Sequence, residues 1–200
     1  MTHSKRYWKH KLWLIDLFAW IIFPFDRAFR LSLRFKVQQN KYNRSALTYG
    51  ETPYAVLAHM MSKSKAQPGQ LFLECGCGYG RLSLLAAQGW RLQAKGIDLI
   101  PAFIKAAERI CSTLGIEGCG FVCGDMFSQN WENADIVYVT STTFPLEVRQ
   151  QLNAKWAELS AGTHVFTLTY PPEGEHLTII SSEVLSFSWG ASTLFHAIVL

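Results

Sequence analysis

Charge is scarce in this 200-residue chain: Asp, Glu, Lys and Arg make up 17% of it, against 49% apolar residues. That balance supports one domain-sized core and excludes intrinsic disorder. With 14 Gly, 7 Pro and no repeat of 20–50 residues, low-complexity, collagen-like and solenoid folds are excluded as well. Long apolar runs are lacking. The longest, residues 12–25, contains Asp16 and as a helix reaches about 21 Å, short of a hydrocarbon core of roughly 30 Å. The small residues of a signal-peptide cleavage site are missing too, because Pro24-Phe25-Asp26-Arg27 stands in their place. The segment is read as retained and not spanning. Cysteine is limited to five, spaced Cys75-x-Cys77, Cys111 and Cys119-x3-Cys123, which fits neither a disulfide framework nor a paired zinc motif. They read as buried small residues in a reducing, cytoplasmic setting, and no metal site is expected.

What is present is uneven. Residues 1–44 hold ten Lys and Arg against two Asp, a net +8 that leaves −4 for the rest of the chain. They also hold ten of the 27 aromatics, including Trp8, Trp13 and Trp20. Basic, aromatic and apolar residues together point to an anionic membrane surface, on the inner face of the membrane, and not to nucleic acid. Residues 12–23 are apolar around the whole helical circumference, whereas 25–37 place Arg27, Arg30 and Arg34 on one face. Packing of 12–23 into the core is the competing reading. A polar link over 38–45 follows, then Thr52-Pro53 as N-cap and first position of a helix to about Ser62. The division is a segment 1–44 and a domain 45–200.

From residue 70 the pattern alternates. Strands are expected at 70–75, 91–98, 119–124, 134–140 and 163–170, with helices at 81–88, 102–114 and 145–159 between them. This is α/β repetition with a mostly parallel, Rossmann-like sheet and right-handed crossovers. Residues 177–187 and 191–200, joined at Trp189-Gly190, leave no room for a helix and form a C-terminal antiparallel hairpin at the sheet edge.

The chemistry collects at the carboxyl ends of these strands. Gly76, Gly78 and Gly80 follow the first strand and open a helix, an arrangement that lets backbone approach a ligand closely. About 20 residues on, the next strand ends in Asp98, placed to accept both ribose hydroxyls of an adenosine. The third ends in Asp125-Met126, a carboxylate for the adenine amino group and a thioether for its face. A dinucleotide is the rival ligand, but Glu74 before a GxGxG loop is unhelpful to a pyrophosphate. It suits the ammonium and sulfonium of S-adenosylmethionine. For single residues, Asp125 capping a turn and Met126 filling the core stand as the plainer alternatives.

Four segments carry a family resemblance: Tyr49-Gly50-Glu51-Thr52, the loop from Glu74 to Gly80, Gly124-Asp125-Met126 with the Trp131 that follows, and Phe144-Pro145-Leu146-Glu147. On them, residues 49–200 resemble the seven-strand methyltransferases and, within these, the non-SET histone lysine methyltransferases of the telomeric-silencing type. A looser likeness is to the small lysine methyltransferases of mitochondrial membrane proteins. The resemblance implies that Tyr49, Gly50, Glu51 and Thr52 form a lid over the cofactor, with Glu74, Gly76, Gly78, Gly80, Asp98, Asp125 and Met126 around it. It also implies a lysine channel, with Trp189 as a wall aromatic and Phe144 among the candidate catalytic residues. This chain departs after the fourth strand, where Thr140-Ser141-Thr142-Thr143 replaces an Asn-Asn-Phe segment. Hydroxyls at Thr140 or Ser141 can still position an amine or an oxygen for in-line transfer. The expected activity is S-adenosylmethionine-dependent methylation of a protein lysine at a membrane surface. A lipid or small apolar acceptor is the second reading, and a cofactor-binding scaffold without catalysis the third.

Overall fold

The computed structural model describes residues 3–24, 27–38 and 48–200. Seven strands form one sheet: β1 Leu71–Cys75, β2 Gln93–Asp98, β3 Cys119–Cys123, β4 Ile136–Val139, β5 His164–Leu168, β6 Leu177–Phe187 and β7 Gly190–Val199. Their order is β3-β2-β1-β4-β5-β7-β6. The first five are parallel, and β7 pairs antiparallel with both β5 and β6, as the sequence leads one to expect. Chain order reverses between β1 and β4, so their carboxyl ends open the crevice where doubly wound sheets bind ligands.

Strand parity builds two cores. Phe72 of β1 packs with helices α4 Tyr54–Lys63, α5 Arg81–Trp90 and α6 Pro101–Leu114 on one face. Leu73 meets the other core, where Trp131 and Trp156 lie close to helix α7 Leu146–Lys155. Pro101 starts α6, and α5 and α6 end on left-handed residues, Arg91 at φ +57° and Gly115 at φ +60°, which close their last carbonyls.

Thr52 does not cap α4. Pro53 occupies that position, and the Thr52 hydroxyl instead pairs with the Tyr138 phenol at 2.8 Å inside the core. Three helices precede the lid: α1 His3–Lys9, which lacks the apolar periodicity that would announce it, α2 Trp13–Ile22 and α3 Arg27–Gln38. The all-round apolar segment divides its faces. Leu12, Ile15 and Ala19 are buried in the main core, while Trp13, Leu17, Trp20 and Ile21 form an exposed stripe at i, i+4, i+7 and i+8. Gly89 of α5 lets α2 come close, since a Cβ there would lie 3.2 Å from Leu12 Cδ1. Arg6 donates to the Gly89 carbonyl at 2.6 Å and stacks over Trp90. On α3, Ala28 and Ser32 face inward, and Phe29, Leu33, Val37 and the three arginines are exposed. Most of the polar link, and Phe25, lie outside the described residues. Among the described residues no helix is long and apolar enough to cross a membrane.

Candidate active site

A cavity of about 770 Å³ opens at the carboxyl ends of β1, β2 and β4, within the roughly 300–1,000 Å³ typical of small-molecule sites. Of the expected site residues, Tyr49, Gly50, Gly76, Asp98, Asp125, Met126, Thr140, Phe144 and Trp189 line it. Glu51, Thr52, Glu74, Gly78, Gly80 and Ser141 do not, and each has a different task.

The three loop glycines separate by what faces them. Gly76 has φ +78° and nothing within 4 Å of where a Cβ would stand, so its missing side chain is open cavity. At Gly78 a Cβ would lie 2.8 Å from the Tyr49 ring, and at Gly80 2.3 Å from Phe121. Gly76 therefore faces open cavity, Gly78 packs against Tyr49, and Gly80 allows close packing against Phe121 and Ala107.

Asp98 ends β2 with each oxygen accepting a backbone N–H at 2.8 Å, Oδ2 from Gly78 and Oδ1 from Ile100. Burial pushes its carboxyl up to about 6, partly offset by these donors. A carboxylate keeps acceptor capacity beyond one bond per oxygen, which is what a ribose diol needs. Asp125 caps the short helical turn 126–128 by accepting from Phe127 N at 3.0 Å, yet still lines the cavity beside Met126. Capping and cavity lining coexist there.

Glu74 corrects an expectation. It shares strand parity with Phe72 and so points under α5, away from the cavity, where its Oε2 accepts from Ser83 Oγ at 2.6 Å and Ser83 N at 3.0 Å. Burial pushes this carboxyl up to about 8, so it is mostly protonated at neutral pH. A folded-state value above the ordinary 4.5 means that folding gains from this group at low pH and loses that gain as pH rises through 8. Glu74→Gln is thus expected to melt near the parent temperature at about pH 4 and above it at pH 7, because the unfolded carboxyl ionises from 4.5 upward while the folded one stays protonated to about 8. Glu74→Ala, which orphans the Ser83 donors, should lose about 1–3 kcal/mol at pH 7. Melting curves at the two pH values check both.

The segment 49–52, expected as a lid, borders the cavity through Tyr49 and Gly50. Tyr49 packs on Tyr79 and Phe103, and burial pushes its phenol well above the usual range. Gly50 touches Trp189, whose Cζ3 would be 2.9 Å from a Cβ at Gly50. Trp189 stacks on Phe187 at 4.9 Å, which fixes the hairpin turn against the lid. Glu51 accepts from Tyr79 Oη at 2.6 Å and Thr52 from the core side holds the loop to β4. At the far end, Ser141 is unavailable to an acceptor, being 2% exposed with its hydroxyl donated to Leu168 O at 2.6 Å. Thr140 and Thr142 remain in the wall.

Several wall residues carry no signal in the sequence. Phe29 and Ser32 come from α3, and Glu147 comes from the first turn of α7. A first-turn acid is a normal helix feature, which hides a site role. Among the described residues, the charged side chains lining the cavity are Asp98, Asp125 and Glu147, all carboxylates, with no Lys, Arg or His beside them. Among these residues a pyrophosphate finds no cation, whereas a sulfonium and an ammonium find acids. The Gly76 cradle, Asp98 and the Asp125-Met126 pair fit S-adenosylmethionine.

Comparison with known proteins agrees. Residues 72–161 match the family described as methyltransferase domain. The chain is 26% identical over 127 residues to a malonyl-[acyl-carrier protein] O-methyltransferase of Anoxybacillus flavithermus, covering 62% of this chain and 48% of that protein. It spans about half the length of that curated relative. Among solved structures, an RNA methyltransferase from Salinibacter ruber in complex with S-adenosyl-L-homocysteine superposes with a TM-score of 0.61 at 22% identity. That match covers 74% of this chain and 93% of the other. Magnesium protoporphyrin IX methyltransferase from Synechocystis PCC 6803 with bound S-adenosylmethionine gives 0.60 at 18% identity, covering 73% and 77%. These likenesses do not single out lysine methyltransferases. Strand order, glycine loop and the match over residues 72–161 converge on the seven-strand, Rossmann-like methyltransferase fold.

Proposed function

We propose that the protein is an S-adenosylmethionine-dependent methyltransferase whose acceptor is the side-chain amine of a lysine in a protein. The observation that carries this is the charge of the cavity wall, three carboxylates with no base among the described residues. Bound S-adenosylmethionine supplies an electrophilic methyl group, and the chain's own residues orient the acceptor and exclude water from it. Glu147 at the mouth attracts a cationic side chain, and Phe144 and Trp189 provide apolar walls for its methylene stem. An RNA or phosphorylated acceptor would bring anions to the same wall and be repelled.

A second reading, a lipid or small apolar acceptor, draws support from Phe29. This residue is 41% exposed on α3 and also lines the cavity, so the site opens beside an apolar helix face. Incubation with methyl-labelled S-adenosylmethionine and a host lysate separates the readings. Label is expected in protein and, after hydrolysis, in methylated lysine. Label in the lipid extract overturns the lysine assignment. Because no histidine among the described residues lines the cavity to take the proton, the rate should climb with pH toward the amine's own value near 10.4. A rate independent of pH between about 6 and 9 speaks for a non-amine acceptor.

We also place the protein at the inner, anionic surface of a membrane, facing the cytoplasm. The support is the exposed Trp13, Leu17, Trp20 and Ile21 stripe of α2 together with the exposed Phe29, Leu33 and Val37 of α3, a helix that also exposes Arg27, Arg30 and Arg34. Five unpaired cysteines suit that compartment. The full chain should float with phosphatidylglycerol vesicles, and recovery should fall as salt screens the roughly 1 kcal/mol per basic residue, leaving a salt-resistant apolar part. Equal recovery with neutral vesicles, or none with either, contradicts the placement.

A further inference from the structure

The structure assigns to Asp16 of α2 the role of a positioning residue for the cofactor lid, acting through Arg81; the role rests on the lid and cofactor reading above. Arg81 opens α5 directly after the glycine loop, and its side chain is only 12% exposed. Its guanidinium grips Asp16 with two bonds, Nε to Oδ1 at 2.5 Å and Nη2 to Oδ2 at 3.0 Å. The remaining Nη1 turns to the lid and donates to the Thr52 carbonyl at 3.1 Å, and the Asp16-bound Nε also stands 3.4 Å from Glu51 Oε1. Tyr7 of α1 donates its phenol to Asp16 and fixes the carboxylate from behind.

The lid needs such support because residues 48–53 have no regular secondary structure. Its polar groups are held mostly from outside. Ser32 Oγ of α3 accepts from Tyr49 N at 3.3 Å, Tyr79 donates to Glu51, and Phe23 at the end of α2 stacks on Tyr79 at 5.2 Å. Asp16 and Glu51 thus both converge on one guanidinium. A fork held bidentately by one carboxylate is fixed in plane, and that plane decides where it meets Thr52 and Glu51. The N-terminal helices form part of the cofactor site, although only α3 touches the cavity.

The test combines a double-mutant cycle with hydrogen exchange on the full chain. Asp16→Asn and Glu51→Gln should each weaken S-adenosylhomocysteine binding about tenfold, and the double variant also about tenfold, because both act through Arg81. An approximately hundredfold loss in the double variant means independent actions and overturns the assignment. Amides of the peptide 48–53 should exchange faster in ligand-free Asp16→Asn, while those of β4 and β5 keep their protection. Unchanged lid exchange equally overturns it. This second readout needs no ligand, so it separates failure of the clamp from failure of the cofactor reading, which a parent chain that binds no S-adenosylhomocysteine would reveal. Should Asp16→Asn not fold, Tyr7→Phe, which strips one donor from Asp16 and keeps the ion pair, is read by the same exchange: faster lid exchange supports the role and unchanged exchange ends it.

Discussion

Replacing Asp98 by alanine is expected to weaken S-adenosylhomocysteine binding by at least about tenfold to a hundredfold, the effect of losing charge-assisted bonds worth roughly 1.5–3 kcal/mol. The loss has two sources. The ribose hydroxyls lose their acceptor, and the Gly78 and Ile100 N–H groups, each now 2.8 Å from a carboxylate oxygen, lose theirs, so the glycine loop loosens as well. The parent chain carries a matching pH signature. Because burial pushes the Asp98 carboxyl up to about 6, and the charged form accepts the diol, affinity should rise with pH through 6 and level off above it. The stability of the ligand-free protein has the opposite sign. A folded-state value above the ordinary 3.8 favours folding at low pH, and that contribution is lost as pH rises through 6. Calorimetric titrations of both chains at about pH 5 and pH 7.5 check this. An alanine variant with parent affinity at both values removes Asp98 from the site.

The second large effect is a contrast between two glycines four residues apart. Gly80→Ala places a methyl group 2.3 Å from the Phe121 ring and 2.9 Å from Ala107 Cβ, at a φ of +74°. Left-handed strain of about 1–3 kcal/mol and overpacking of about 1–3 kcal/mol add here, so stability should fall by roughly 2–6 kcal/mol. Gly76→Ala has comparable backbone strain but meets nothing within 4 Å. That variant should melt only a few degrees lower, yet bind S-adenosylhomocysteine roughly tenfold to a hundredfold more weakly, because its methyl group stands in the space the ligand uses. Denaturation curves and titrations of the two variants should diverge in these opposite senses. If both variants fold and bind alike, the division of labour among the loop glycines is wrong.

How far these sites could be read in advance depended on whether a residue's role is set locally. Strand ends are local: the buried runs 71–75 and 93–98 put Asp98 and the glycine loop at one edge of the sheet whatever packs around them. The hairpin at Trp189 is equally local, since two β-rich runs with no room for a helix allow one connection. Which neighbour opposes a residue is not local. The three glycines look alike in sequence, and only Tyr49, Phe121 and the open cavity tell them apart. Glu74 turned away because strand parity places it under α5, next to a serine nine positions on. The Asp16–Arg81 pair spans 65 residues and three helices, and no spacing rule connects them. For the same reason a segment apolar on all sides, 12–23, gives no hint of which side is core until α5 and α6 are in place.

The most direct test of the central claim is calorimetric titration of the purified chain with S-adenosylhomocysteine and, in parallel, with NADH. An acid-walled cavity with a glycine cradle should bind S-adenosylhomocysteine saturably at one site per chain and leave NADH unbound. Binding of NADH, or of neither ligand by a folded chain, would contradict it.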